Sequence, residues 1–157
     1  MKLAVKNGDI LNSECYMALH SVNCQRTMGS GVAKAIRDKF PECYELYRKF
    51  PETQNGQVLG KVAFWINPIS HPNVIANCHT QEFYGYDGKR YTNYEAVYRC
   101  LEEVKRFCVL NQGKTHKGIC LPYGMASVRG GASWSVIEAM INSVFEETEI
   151  PVIAYKL

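Results

Sequence analysis

Stretches with strand patterning alternate with stretches of helical spacing along this chain. That alternation constrains the fold more than any other feature of its 157 residues. Short apolar runs stand at residues 2–5, 16–22, 57–66, 74–78, 118–121 and 151–155. They have strand length, and their continuous apolar character suits strands covered on both faces. Between them Val32, Ala33, Ile36 and Phe40 recur at helical spacing, and Pro41 ends that helix and opens the next, ECYELYRKF. A long helix is expected after Thr92, its predicted cap, with Tyr94, Val97, Tyr98, Leu101, Val104 and Cys108 on one face and Gly113 at its end. Ser133 is the predicted cap of a further helix, striped by Ile137, Met140, Ile141, Val144 and Phe145. Strands interleaved with helices predict a three-layer α/β/α architecture around a central mixed sheet. No repeat, low-complexity tract or linker interrupts the pattern, so residues 1–157 are expected to form a single domain.

Charge and cysteine usage narrow the function classes. The net charge is +3, from 18 Lys+Arg against 15 Asp+Glu. That bias is too weak for a dedicated nucleic-acid platform, and it leans slightly toward a small anionic ligand. Seven cysteines are scattered without a CxxC pair, so no metal site is expected. They read as small buried thiols kept reduced, which makes a cytoplasmic location the expectation. The opening MKLAVKNGDIL is too polar for a signal peptide, and no apolar run approaches the roughly 18 residues that span a bilayer, so no membrane partner is expected.

Two glycine-containing loops each run from a strand into a helix. The first occupies residues 20–32 (HSVNCQRTMGSGV) and the second residues 122–133 (PYGMASVRGGAS). Such loops let backbone N–H groups approach an anion, and the helix N-terminus adds partial positive charge. In open α/β sheets they gather at the carboxyl ends of the strands, where ligands bind. Spacing alone leaves two readings: a diphosphate gripped from both sides, or tight turns that need glycine φ angles. Neither loop is a Walker A motif, and neither is a GxGxxG followed by an acidic residue at the proper distance.

The ordered set GDI, HSVNCQRTMGSGVAKAIRDKFPECYELY, YTNYEA, LPYGMASVRGGASW and VIAYKL resembles the macrodomains over nearly the whole chain. It is most similar to the branch that holds the yeast ADP-ribose-1''-phosphate phosphatase and the terminal ADP-ribose glycohydrolase. The resemblance implies an ADP-ribose site with no cofactor. Asp9 would accept from the adenine amino group, flanked by the Ile10 amide. His20 and Asn23 would lie near the distal ribose. Met28, Gly29, Ser30, Gly31 and Val32 would wrap the diphosphate and distal ribose from one side. Met125, Ala126, Ser127, Val128, Arg129 and Gly130 would wrap them from the other, with Arg129 reaching a phosphate. Tyr155 and Leu157 would border the adenine. Plainer roles stand beside these: a turn-forming Asp9, a buried His20 satisfied by backbone, a solvated Arg129 and an ordinary strand Tyr155.

Two departures bear on activity. The glycohydrolase of this branch attacks ribose with a lysine, assisted by an aspartate of the second loop. Aligned on YTNYEA the lysine position falls near Asn77, and aligned on Trp134 the aspartate position falls at Gly130. An amide forms no Schiff base, and glycine transfers no proton. Lys89 and Arg90, nearby, read as loop residues. Three functions remain open. One is a phosphatase acting on ADP-ribose 1''-phosphate, with His20 as acid or base and Asn23 orienting water. Another is a module that binds ADP-ribose or ADP-ribosylated protein without chemistry. The third is a hydrolase removing ADP-ribose from macromolecules by water attack. The aromatic-rich segment 83–94 is the surface where a larger substrate would rest.

Overall fold

β2 (Met17–Asn23) is the central strand of a six-stranded sheet ordered β1-β6-β5-β2-β4-β3. The computed structural model describes residues 2–29, 31–50, 58–85, 87, 89–111 and 113–157. The other strands are β1 (Leu3–Asn7), β3 (Val62–Ile66), β4 (Val74–Gln81), β5 (Ile119–Pro122) and β6 (Val152–Lys156). The helices are α1 (Gly31–Lys39), α2 (Pro41–Lys49), α3 (Tyr94–Leu110) and α4 (Trp134–Phe145), with single 3-10 turns at Ile10–Asn12 and Thr115–Lys117. β3 runs antiparallel to β4 and every other pairing is parallel, so the sheet is mixed as expected.

Strand alternation builds the three layers. Met17 and Leu19 of β2 join a core with Val97, Leu101, Ile137 and Ile141 from α3 and α4. Ala18, between them, joins Ile36 of α1, Cys43 of α2 and Phe40 at the junction of the two helices on the opposite face. β5 repeats the division, with Ile119 and Leu121 on one side and Cys120 on the other. A period of two is what a strand buried on both faces requires.

Several boundaries differ from the sequence expectation. β3 begins only at Val62, because Gly60 adopts φ +85 and turns the chain ahead of it; Gln57, the expected start, lies outside the described residues. β4 runs on to Gln81, since β2 continues to pair with it through Asn23. The cap of α3 is Asn93, whose side chain accepts from the Ala96 N–H at 3.0 Å. The expected cap, Thr92, instead donates its hydroxyl to the Ala126 carbonyl at 2.8 Å. α3 ends at Leu110, with Asn111 rather than Gly113 as its C-cap. Ser133 holds the cap position of α4 without a side-chain bond to it. Cys15 and Cys120, expected as free thiols, are joined in a disulfide. The parallel register that sets Met17 opposite Ile119 brings these two together over 105 residues, a pairing that scattered spacings did not reveal. Cys24, Cys43, Cys78, Cys100 and Cys108 are free.

The parallel pairing has one consequence for function. β1, β6, β5, β2 and β4 all end at the same edge, and the segments leaving them lie side by side there.

Replacing Asn93 by Ala leaves an N–H of the first turn of α3 without its acceptor. The expected loss is about 1 kcal/mol of stability, read as a lower midpoint in urea denaturation with an unchanged slope. An unaltered midpoint would return the capping role to another residue.

Candidate functional site

A cleft of about 660 Å3 opens at this edge, between the loop after β2 and the loop after β5. Each loop is held by specific bonds. In the first, the Asn23 side chain accepts from the Gln25 N–H at 2.9 Å and donates to the Thr27 hydroxyl at 3.1 Å. Tyr47, buried on α2, donates its hydroxyl to the Asn23 carbonyl at 2.7 Å and lies 2.9 Å from Asn23 Oδ1. Burial pushes that phenol's pKa well up, so it stays a donor. Arg26, at φ +63, reaches across to the Arg48 carbonyl at 2.7 Å. Asn23 therefore spends its polar atoms on the loop itself.

The second loop is fastened to the start of α3. The Gly130 carbonyl accepts from the N–H groups of Tyr91 and Thr92 at 2.8 and 3.0 Å. A Cβ on Gly130 would collide with the Thr92 hydroxyl and the Ala126 carbonyl. Glycine at 130 thus lets the loop pack, which is a closer constraint than access to a ligand. Ser127 turns inward, its hydroxyl donating to the Gly124 carbonyl.

His20 lies at the floor of the cleft, 1% exposed. Its Nε2 is 2.5 Å from Asn77 Oδ1. Asn77 donates its own Nδ2 to the Ala63 carbonyl at 3.0 Å, so Oδ1 is the acceptor and His20 Nε2 carries the hydrogen. His20 Nδ1 is then a lone-pair acceptor, buried and without a partner among the described residues. Burial lowers the His20 pKa to about 4; the Asn77 bond pulls upward, and His79 pushes further down. The ring is neutral at pH 7, which suits an acceptor and removes it as a strong general acid.

His20, Asn23, Met28, Gly29, Gly31, Val32, Met125, Ala126, Val128, Arg129 and Gly130 all line the cleft. Ser30 lies outside the described residues. Asp9, Ile10, Ser127, Tyr155 and Leu157 are not part of the lining. Asp9 caps the short turn after β1, its Oδ1 accepting from Leu11 N–H at 2.9 Å, while the Ile10 side chain is buried in the core. Tyr155 is half-buried with its ring against Gly8, and Leu157 is fully exposed. These residues still share the same sheet edge, at the ends of β1 and β6, where Gly8 N–H bonds the Lys156 carbonyl at 3.0 Å.

The structure adds Arg37, Tyr44, Gln81, Tyr84, Gly85 and Tyr123 to the lining. Tyr84 was signalled by the aromatic-rich segment. Arg37 and Tyr44 sit inside helices, where a charged or aromatic residue ordinarily reads as surface, so no local signal marked them. Asn77 is fully buried as the partner of His20. Lys89 is outside the lining, exposed, 3.8 Å from Asp87. Among the described lining residues the charged ones are Arg37 and Arg129, both cationic. No three His, Cys, Asp or Glu among the described residues cluster as a metal site, and no described helix is long and apolar enough to cross a membrane.

With this geometry in place, the similarities to known proteins are informative. No family model matches the chain. ADP-ribose 1''-phosphate phosphatases of Neosartorya fischeri and Aspergillus fumigatus are each 40% identical over 48 residues, 30% of this chain and 24% of theirs. An uncharacterised 17.5 kDa protein of phage T4 is 26% identical across 95% of this chain and 94% of its own. The DNA ADP-ribosyl glycohydrolase of Thermus aquaticus is 24% identical over 90% of this chain, which spans 37% of that protein. Among solved structures, the macrodomain of Thermus aquaticus DarG superposes with TM-score 0.75 at 25% identity, covering 99% of this chain and 97% of that one. Thermosipho africanus DarTG in complex with ADP-ribose superposes with TM-score 0.79 at 20% identity, covering 99% of this chain and 41% of that one.

His20 also predicts a pH dependence. Its folded pKa of about 4 lies below the ordinary 6.5, and burial lowers that of His79 too. Between these values the unfolded chain binds more protons, so stability is complete above pH 6.5 and falls as pH drops toward 4. The expected outcome is a loss of a few kcal/mol over that window by urea titration, flattened in His20→Gln. Ring resonances showing His20 charged at pH 6 would contradict it.

Proposed function

The chain is a macrodomain in fold, and from that premise we propose that it binds ADP-ribose and its derivatives in the cleft and removes the terminal phosphate of ADP-ribose 1''-phosphate. The chemistry of the lining carries the binding reading. Two loop backbones and the N-terminus of α1 meet in a cleft whose described charged residues are both cationic. A diphosphate suits that setting, since loop amides and a helix N-terminus favour negative charge. The adenine then extends along the sheet edge toward Asp9 and Tyr155, and the distal ribose sits over His20.

For the phosphatase step, water attacks the terminal phosphorus. The new P–O bond forms as the bond from phosphorus to the 1''-oxygen breaks, leaving ADP-ribose and inorganic phosphate. Phosphoryl transfer through a loose transition state needs positioning and charge stabilisation more than a strong base. Neutral His20, with Nδ1 open as an acceptor, can orient a water or a ribose hydroxyl without holding a full charge. The partial identity to the fungal phosphatases supports this choice.

Binding without chemistry is the second reading. It is favoured by the lack of any carboxylate or lysine among the described lining residues. Removal of ADP-ribose from a modified macromolecule draws support from Phe83 and Tyr84, exposed at 56% and 50% by the open end of the cleft. A cytoplasmic site of action stays part of this proposal on the five cysteines that remain free, and the Cys15–Cys120 disulfide counts against it.

ADP-ribose at about 100 times its dissociation constant is expected to add roughly 2.7 kcal/mol of stability, seen as a raised melting temperature. No shift at millimolar ligand would sink the binding reading. Gly29→Glu adds a carboxylate where a Cβ meets nothing within 4 Å and φ is not left-handed. It should fold normally and lose about tenfold or more in calorimetric affinity, the scale of about 1.4 kcal/mol. Full affinity in the folded variant would place the ligand elsewhere. Phosphate release from ADP-ribose 1''-phosphate separates the two readings, because a module gives binding and no release.

A further inference from the structure

We infer that the cleft has a limb between α1 and α2 that takes a phosphate group carried beyond the distal ribose, with Arg37 reading the phosphate and Tyr44 bracing Arg37. This rests on the reading that ADP-ribose occupies the cleft. It assigns a determinant of substrate choice that neither glycine loop contains.

The lining does not stop at the first turn of α1. It continues through Ala33 to Arg37, one helical turn further along the same face. Tyr44 of α2 lines the limb as well, and the Arg37 guanidinium carbon lies 5.8 Å from its ring centroid. That distance is within the range of a cation–π contact, which holds the planar group in place without using its N–H donors. Ala33, which is small, lines the cleft on the same helix. Arg37 is half-buried, which strengthens its charge relative to a solvated arginine.

Arg37 is also poorly neutralised. Its neighbour Asp38 accepts at Oδ2 from Lys34 Nζ at 2.8 Å. Asp38 Oδ1 is 3.7 Å from Arg37 Nε, and no other carboxylate among the described residues reaches the guanidinium. The terminal N–H groups therefore keep the fork that matches two phosphate oxygens at once.

An independent observation points to a ligand in the same cleft. His20 is 1% exposed and its Nδ1 has no partner among the described residues. A buried acceptor left open in this way is satisfied by a donor from outside the chain. A ribose hydroxyl supplies one, but a fully ionised phosphate does not. The cleft lining thus holds both an acceptor for a sugar hydroxyl and a cationic fork for an anion. Arg129, on the opposite wall, sits exposed on a loop and serves as the control.

The test is calorimetry at low salt with two probes, ADP-ribose and the non-hydrolysable phosphonate analogue of ADP-ribose 1''-phosphate. The wild type is expected to bind the phosphonate at least about tenfold more tightly, the scale of hydrogen bonds to a charged group. Arg37→Ala should abolish that preference, weakening the phosphonate at least about fivefold more than ADP-ribose. Arg37→Gln, which keeps bulk on the helix, should do the same. Arg37→Lys should restore part of the preference, and Arg129→Ala should keep it. Raising salt should shrink the preference in the wild type and leave Arg37→Ala unaffected. Equal weakening of both probes by Arg37→Ala, an intact preference, or a preference that follows Arg129 would each overturn the inference while leaving ADP-ribose binding standing. A wild type that binds neither probe would overturn both.

Discussion

β2 is bonded to β5 on one side and to β4 on the other, with Met17 opposite both Ile119 and Val74. The cleft depends on these two parallel ladders. Parallel strands end at the same edge, so the loop after β2, the loop after β5 and the segment after β4 emerge next to one another. Had β5 paired antiparallel, the second glycine loop would lie on the far side of the sheet and the first would face solvent alone. The alternation of Met17, Ala18 and Leu19 between two cores fixes the strand's face, because a one-residue slip would carry every side chain to the wrong layer.

The loops around this edge are shaped by polar satisfaction. Tyr47 and Asn23 close the first loop, and Thr92 with the Gly130 carbonyl closes the second. Their backbone polar groups are thereby partly used internally, and what faces the cleft is a limited set of groups. Among the described residues one of the unsatisfied buried atoms is His20 Nδ1, kept as an acceptor by Asn77, which is itself held by the Ala63 carbonyl. A cleft with cationic side chains, glycine loops and a neutral histidine favours holding an anion over driving proton transfer. Chemistry in such a site must come from positioning and from the fixed dipoles of the loops.

The order of elements, both glycine loops and most of the residues around them were legible along the chain, because they rest on local periodicity and turn chemistry. The cap of α3 was misjudged by one residue. Thr92 and Asn93 are both competent caps, and only the proximity of Ala126 from the second loop draws Thr92 away. The meaning of Gly130 also changed. Its place in a glycine pair suggests ligand access, yet the atoms that exclude a side chain there belong to Thr92 and Ala126.

By itself the sequence determined that strands alternate with helices, that the strands are buried on both faces, and that two flexible-backbone loops lead into helices. Those are properties of neighbours in the chain, written in apolar spacing, prolines and glycines. Only the tertiary structure decided which residues share the cleft. Arg37 and Tyr44 enter it because Ala33 of α1 and Tyr44 and Tyr47 of α2 pack with Val22 near the end of β2, and helical spacing alone gives such residues no destination. Asn77 becomes the partner of His20 because parallel register sets the two side by side across 57 residues. Asp9 falls outside the lining because β6 and β5 stand between β1 and the central strand. Each of these outcomes is a distance between remote parts of the chain, and such distances exist only once the sheet has closed its order.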